Sequence, residues 1–323
     1  MSGVDENPQA TEELCVQRIS DQWALIFESS GDAAQLRHHL SGNCAPRRHI
    51  EVARVRSRRA PGPEGRGDIP VRIYEPLRAH TRPRVHTAPL VVYFHGGGFV
   101  LRDPEAQDAA CRRLANGVGG VVVAVDYRLA PQNRFPAAVE DAWSATRWAG
   151  TFAHQLGCDP DRLVVAGEGA GGNLAAGVSL LARDRAGPPI ALQLLIYPIL
   201  DQRRKPTAAP TGTLGPVVTA EQLHWFSDQY LRSEDDRLNP LASPILADLT
   251  ALPPAHLVAA EADPLRGDGD RFARRLREAG VAVTARTYPG MFRGFVNLPD
   301  RLPRVERYNA EIYATVRHTI EDQ

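Results

Sequence analysis

From residue 90 onward, short apolar runs alternate with amphipathic stretches, and this alternation constrains the fold more than any other feature. The runs are LVVYF (90–94), VVVAV (121–125), LVVA (163–166), LQLLIYP (192–198), AHLVAA (255–260) and VAVTARTY (281–288). Helices are predicted to begin near Asp108, Ala137, Gly171, Gln222 and Asp270. A strand that is apolar at every position is covered on both faces, so strands of this kind separated by helices predict a mostly parallel sheet with helices on either side, the α/β class. Chemistry in such sheets gathers beyond the carboxyl ends of the strands, and those ends are the places to look for it.

The first 90 residues read differently. Residues 11–40 place Leu14, Ile19, Trp23, Ile26, Phe27 and Leu36 at loose helical spacing. IEVARVR (50–56) and IPVRIYEP (69–76) flank the Pro- and Gly-rich stretch 58–68 and predict a hairpin with a long loop. The basic run 47–59 alternates with Ile50, Val52 and Val55, which suits the wet face of an antiparallel strand better than a nucleic-acid surface. The 38 basic and 38 acidic residues cancel, so no global field draws the chain to nucleic acid or to an anionic membrane. All but one of the basic residues are arginine, with Lys205 the exception, which rules out almost all lysine-based chemistry. Cys15, Cys44, Cys111 and Cys158 form no CxxC pair, and neither a zinc site nor a dithiol motif is expected. The polar, acidic start and the lack of a long apolar run predict a cytoplasmic chain with reduced thiols.

Two glycine-rich segments follow strands. His95-Gly96-Gly97-Gly98-Phe99 comes directly after the run at 90–94, where three glycines let the backbone turn and aim N–H groups at a bound oxygen. Gly167-Glu168-Gly169-Ala170-Gly171-Gly172-Asn173-Leu174-Ala175 follows LVVA and opens a helix. Gly167 to Gly172 also satisfies GxGxxG, with Asp184 or Asp201 as a ribose-binding carboxylate, but that pattern alone is weak.

Together these segments resemble the hormone-sensitive-lipase branch of the α/β-hydrolases, whose nucleophile elbow reads G(D/E)SAGGNLA. Asp126 to Pro131, Phe135-Pro136-Ala137, Asn239-Pro240, Ser243-Pro244, Leu252 to Pro254, Ala260 to Leu265 and Tyr288 to Phe295 follow in the family's order, over roughly residues 45–320. The resemblance implies an α/β-hydrolase fold, with residues 1–45 as N-terminal cap helices, 46–323 as the hydrolase domain, and about 200–235 contributing a lid segment. It implies oxyanion-hole donors at Gly97, Gly98 and Ala170, supported by His95 and Phe99, and a catalytic acid at Asp263. The family also allows a homodimer formed through the last strand and helix.

Two positions depart from the pattern. Gly169 stands where the family has its nucleophilic serine, and Arg293 stands where it has its histidine base. Glycine offers no nucleophile and a guanidinium offers no base, which leaves Asp263 and Glu168 as candidates for proton transfer. Arg293 either pairs with Asp263 or faces the pocket to bind an anionic group of a ligand. Tyr127 and Asp126 are read as support, and His224 and Trp225 as lid residues. On these grounds the expected function is a non-hydrolytic enzyme, such as a cyclase, dehydratase or other lyase, acting on a small carbonyl compound without a metal or cofactor. The alternatives are a small-molecule binder or receptor, for which the plant gibberellin receptors of this branch give a precedent, and a weak residual carboxylesterase.

Overall fold

Leu90, Val92 and Phe94 point to one side of their strand while Val91 and Tyr93 point to the other, and all five are buried. This two-sided burial sets the architecture. The computed structural model describes residues 8–42, 49–77, 88–203 and 218–322. The strands are β1 (Arg54–Ala60), β2 (Ile69–Glu75), β3 (Ala88–Phe94), β4 (Val121–Val125), β5 (Cys158–Glu168), β6 (Leu192–Ile196), β7 (Ala255–Ala262) and β8 (Val283–Phe292). The helices are α1 (Pro8–Glu28), α2 (Ala33–Gly42), α3 (Pro104–Val118), α4 (Ala137–Thr151), α5 (Ala170–Asp184), α6 (Ala220–Tyr230), α7 (Arg266–Glu278) and α8 (Pro303–Glu321).

The eight strands form one sheet in the order β1-β2-β4-β3-β5-β6-β7-β8. The β1–β2 and β2–β4 pairs are antiparallel and the remaining five are parallel. One apolar cluster joins the sheet to α4, α5 and α7, and a second joins it to α3 and α8 on the opposite face. Phe94 lies beside Gly167, and Glu168 lies beside Ile196. The carboxyl ends of β3, β5 and β6 therefore finish side by side, which brings the two glycine-rich segments together.

The predicted α/β sheet is present, with several boundaries moved. The single helical stretch expected over 11–40 is two helices. Asp32 breaks it, its carboxylate accepting from the N–H groups of Ala34 and Gln35 at 2.8 and 2.9 Å to start α2. The first strand of the hairpin lies later than the expected 50–56, and Arg58, Arg59 and Ala60 pair with Val71, Pro70 and Ile69 rather than looping. The last strand runs four residues past Tyr288. Cys111 and Cys158 are buried free thiols. Most of the segment expected to lead into the lid, 204–217, lies outside the described residues, as does Lys205. Among the described residues, no helix is long and apolar enough to cross a membrane, and no group of three or more His, Cys, Asp or Glu could hold a metal ion.

Candidate active site

The backbone at the end of β3 turns through Gly97 and Gly98, with φ of +100° and +61°, values an L side chain rarely adopts. Space as well as conformation demands glycine here. A Cβ on Gly97 would lie 2.2 Å from the carbonyl oxygen of Leu101, and one on Gly98 would lie 2.5 Å from Cγ of Phe226. Arg37 of α2 holds the loop from outside, donating through Nε to the Val100 carbonyl at 2.8 Å. Gly97 and Gly98 line a cavity of about 570 Å³ together with Gly169 and Ala170. Ala170 is the first residue of α5, so its N–H has no acceptor within the helix.

Gly169 sits at the elbow between β5 and α5 with φ +57°. The glycines around it allow close packing. A Cβ on Gly171 would meet the Phe94 carbonyl oxygen at 1.9 Å, and one on Gly172 would meet Cβ of Pro198 at 2.9 Å. Close packing thus accounts for two of the three glycines of the GxGxxG pattern, Gly172 against Pro198 and Gly167, where a Cβ would lie 2.8 Å from the Phe94 carbonyl oxygen, while Gly169 faces open space beside Arg293. Asp184 and Asp201, its candidate ribose partners, do not line the cavity and pair with Arg183 and Arg203 at 2.7 and 2.9 Å.

Arg293 occupies both of its expected positions at once. Its Nη1 donates to Asp263 Oδ2 at 2.8 Å, and both residues are buried, at 8% and 2% exposure. Among the described residues its Nη2 has no hydrogen-bond partner, and it lies 3.4 Å from where a Cβ on Gly169 would be. Asp263 is also fixed by the N–H of Leu265, which donates to Oδ1 at 2.9 Å. Of this pair only Arg293 lines the main cavity.

Glu168 lines the cavity and is held by two side chains to which the sequence motifs do not point. Tyr197 Oη donates to its Oε2 at 2.5 Å, and Asn297 Nδ2 reaches both carboxylate oxygens at 2.8 and 2.9 Å. Burial and the neighbouring Glu168 carboxylate push the Tyr197 phenol well above its ordinary pKa, so it remains a donor. Tyr197 follows directly on the end of β6, and a search of every strand terminus, not only the glycine-rich ones, finds it.

His95 stacks on Tyr127 with ring centroids 4.3 Å apart, and its Nδ1 lies 2.6 Å from the Gly96 carbonyl oxygen. Burial lowers its pKa to about 4, so the ring is neutral at pH 7 and donates that contact from Nδ1. Tyr127 Oη donates to the His95 carbonyl at 2.8 Å, and Asp126 pairs with Arg102 at 2.9 Å. Phe99 is not brought to the cavity. It stacks on Tyr230 at 3.7 Å and is buried in the core. On α6 the cavity-lining residues are Leu223 and Phe226. Trp225 packs edge-on against Phe27 at 5.3 Å, and His224 lies 3.5 Å from Asp228.

Comparison with known proteins places this geometry in a family. A family model described as the α/β-hydrolase fold matches residues 91–297. A carboxylesterase, NlhH, of Mycobacterium tuberculosis is 37% identical over 293 residues, covering 89% of this chain and 90% of its own. An ethyl acetate hydrolase of Pseudomonas putida is 40% identical over 235 residues, covering 71% and 72%. The solved structure of a hyperthermophilic esterase from Pyrobaculum calidifontis superposes with a TM-score of 0.77 at 37% identity, over 97% of this chain and 92% of that one.

These relatives correct the expectation of a cyclase, dehydratase or other lyase, and equally that of a binder without chemistry. That reading rests on two positions, whereas the identity to proteins named as esterases extends over most of the chain. The chain belongs to the α/β-hydrolase superfamily and to its hormone-sensitive-lipase branch.

Proposed function

We propose that the protein is a cytoplasmic carboxylic ester hydrolase acting on small esters. The carrying observation is the convergence of Gly97, Gly98 and the first residue of α5 on one cavity, the arrangement that stabilises the oxyanion formed when an ester carbonyl is attacked. Relatives named carboxylesterase, ethyl acetate hydrolase and arylesterase support the reaction class. Trp23, Ile26, Ile199, Leu223 and Phe226 give the cavity an apolar stretch of wall, which suits a short acyl or alkyl chain. The buried thiols Cys111 and Cys158, unpaired in the structure, agree with a reducing compartment.

Gly169 cannot form an acyl-enzyme, so the nucleophile in this reading is water. Its oxygen adds to the carbonyl carbon as Glu168 takes its proton, and the Gly97, Gly98 and Ala170 N–H groups hold the oxyanion. Collapse breaks the acyl–oxygen bond, and the leaving alkoxide recovers the proton from Glu168. Glu168 is preferred to Asp263 because it lines the cavity, while Asp263 is sealed behind Arg293.

Release of p-nitrophenol from p-nitrophenyl acetate and butyrate tests the proposal. Turnover above heat-denatured protein is expected, with no initial burst and no covalent labelling by a fluorophosphonate. Gly169→Ser combined with Arg293→His is expected to become labelled and to turn over at least about 10-fold faster, because the serine and histidine of a complete triad are worth far more than that. Failure to hydrolyse either ester overturns the esterase reading. Labelling of the unaltered protein overturns direct attack by water.

A further inference from the structure

Arg102, Arg293 and Arg301 all line the cavity, and Arg293 is the one beside the elbow glycine, where a neutral ester does not require a cation. Arg293 is 8% exposed, its Nη1 is engaged by Asp263, and its Nη2 has no hydrogen-bond partner among the described residues. A buried guanidinium N–H left without an acceptor is costly, so the space it faces favours an oxygen that a ligand can supply. That space is open. The Cβ direction of Gly169 meets, beyond the adjoining residues, a single heavy atom within 4 Å, and that atom is Arg293 Nη2 at 3.4 Å. The same space adjoins the amino end of α5, a 15-residue helix whose first N–H groups and dipole favour negative charge.

The neighbouring groups leave this donor to a ligand. Glu168 is the carboxylate nearest the elbow in sequence, and both of its oxygens already accept from Tyr197 and Asn297. Asp263 already accepts from Arg293 Nη1 on one oxygen and from the Leu265 N–H on the other. The Tyr197 ring, 5.4 Å from the Arg293 guanidinium carbon, offers a π face and no lone pair in the plane of the fork.

We propose that the space over Gly169 is a carboxylate site. One oxygen of a small apolar carboxylic acid is received by Arg293 Nη2, and the other by the N–H groups of Gly97, Gly98 and Ala170. The side chains absent at residue 169 and replaced at residue 293 thereby convert a nucleophile's position into an anion receptor. The ligand class is the acid that ester hydrolysis releases, with its chain lying along Trp23, Ile26 and Phe226. This deepens the esterase reading and rests on it for the shape of the ligand, and it makes the product acid a competitive inhibitor.

Calorimetric titration with sodium butyrate and with butyramide tests the site without reference to turnover. The two have nearly the same shape and differ in charge. Butyrate is expected to bind at least about 10-fold tighter, since hydrogen bonds to charged groups are roughly twice as strong as neutral ones. Arg293→Gln, which keeps a donor but removes the charge, is expected to abolish the difference. Gly169→Ala leaves the Arg293–Asp263 pair intact and places a methyl group in the site, and it is expected to weaken butyrate by a similar factor. Equal binding of butyrate and butyramide by the unaltered protein overturns the proposal whether or not either variant folds. Retention of tight butyrate binding by a folded Gly169→Ala protein overturns it as well. Butyrate binding without ester hydrolysis leaves the anion site standing and removes the esterase reading, while hydrolysis without butyrate preference does the reverse.

Discussion

Gly97 concentrates the demands of the site in one residue. Its φ of +100° disfavours any side chain, and its missing Cβ leaves room for the Leu101 carbonyl, which would otherwise lie 2.2 Å away. The obstacle is backbone, so rotation of a side chain cannot relieve it, and Gly97→Ala has to displace the loop that carries the donors. A loss of about 10²- to 10³-fold in kcat is expected, the usual effect of removing one oxyanion donor. Kinetics with p-nitrophenyl butyrate on protein shown by circular dichroism to be folded measure it, and unchanged kcat would remove Gly97 from the site. The importance of this glycine is legible in the motif HGGG, because a turn after a buried strand needs conformational freedom. Phe99 in the same motif is not legible, because its ring direction depends on Tyr230, 131 residues later in the chain. Arg293 is readable from the sequence as either a partner of Asp263 or a pocket donor. A guanidinium has several N–H groups, so Arg293 pairs with Asp263 and also lines the cavity, and only the three-dimensional surroundings reveal that Nη2 is left without a partner among the described residues.

Among the elements, α6 shows how phase decides function. A helix is predicted to begin near Gln222, and in the structure Thr219 and Gln222 form a capping box that starts it, with Thr219 Oγ1 accepting from the Gln222 N–H at 3.2 Å. Which face turns inward is not legible from a stretch containing both Leu223-His224 and Trp225-Phe226, and the cavity receives Leu223 and Phe226. The parallel strands are read more easily, since burial on both faces leaves no phase to choose. Gln222 also reaches beyond its own helix. Its Oε1 accepts from the Thr219 N–H at 3.0 Å and from Trp23 Nε1 of α1 at 2.9 Å. One side-chain oxygen therefore closes the cap of α6 and ties that helix to α1, and both helices wall the cavity. Gln222→Ala is expected to cost roughly 1–2 kcal/mol in stability through the lost cap and the orphaned indole N–H. It is also expected to raise KM more than it lowers kcat, because Trp23 and Ile26 lose their anchor while the donor loop is untouched. Urea unfolding and steady-state kinetics on the same variant separate the two effects, and a lower kcat at constant KM would contradict this role for the tie.

At the scale of the whole molecule, the balanced charge conceals an uneven dependence on pH. His95 at the end of β3 and His256 in β7 are both buried, and burial lowers the pKa of each to about 4. Unfolded, each returns toward its ordinary value of about 6.5. Below pH 6.5 the unfolded chain therefore binds protons that the folded chain refuses, and stability falls with falling pH until about pH 4, where the folded state protonates too. The contribution is fully present above pH 6.5 and lost across that window. Between pH 7 and pH 5 the expected loss is about 2 kcal/mol for each histidine as an upper limit, or about 4 kcal/mol for both. The Asp201, Asp236 and Asp248 carboxylates, whose pKa values lie below the ordinary range, add their own loss only at lower pH, while Asp126, whose pKa burial raises, works in the opposite direction as pH falls. His256 lies away from the cavity and contacts the Thr284 carbonyl through Nδ1 at 3.3 Å, so it can be altered without touching the donor loop. Urea unfolding of the unaltered protein and of His256→Gln at pH 7 and pH 5 separates the two contributions. The substitution is expected to halve the difference between the two pH values, because glutamine keeps a donor toward Thr284 and carries no titrating proton. A stability that is flat from pH 7 to pH 5 in the unaltered protein would mean that these rings are protonated in the fold, which their burial and their lack of any carboxylate partner among the described residues argue against.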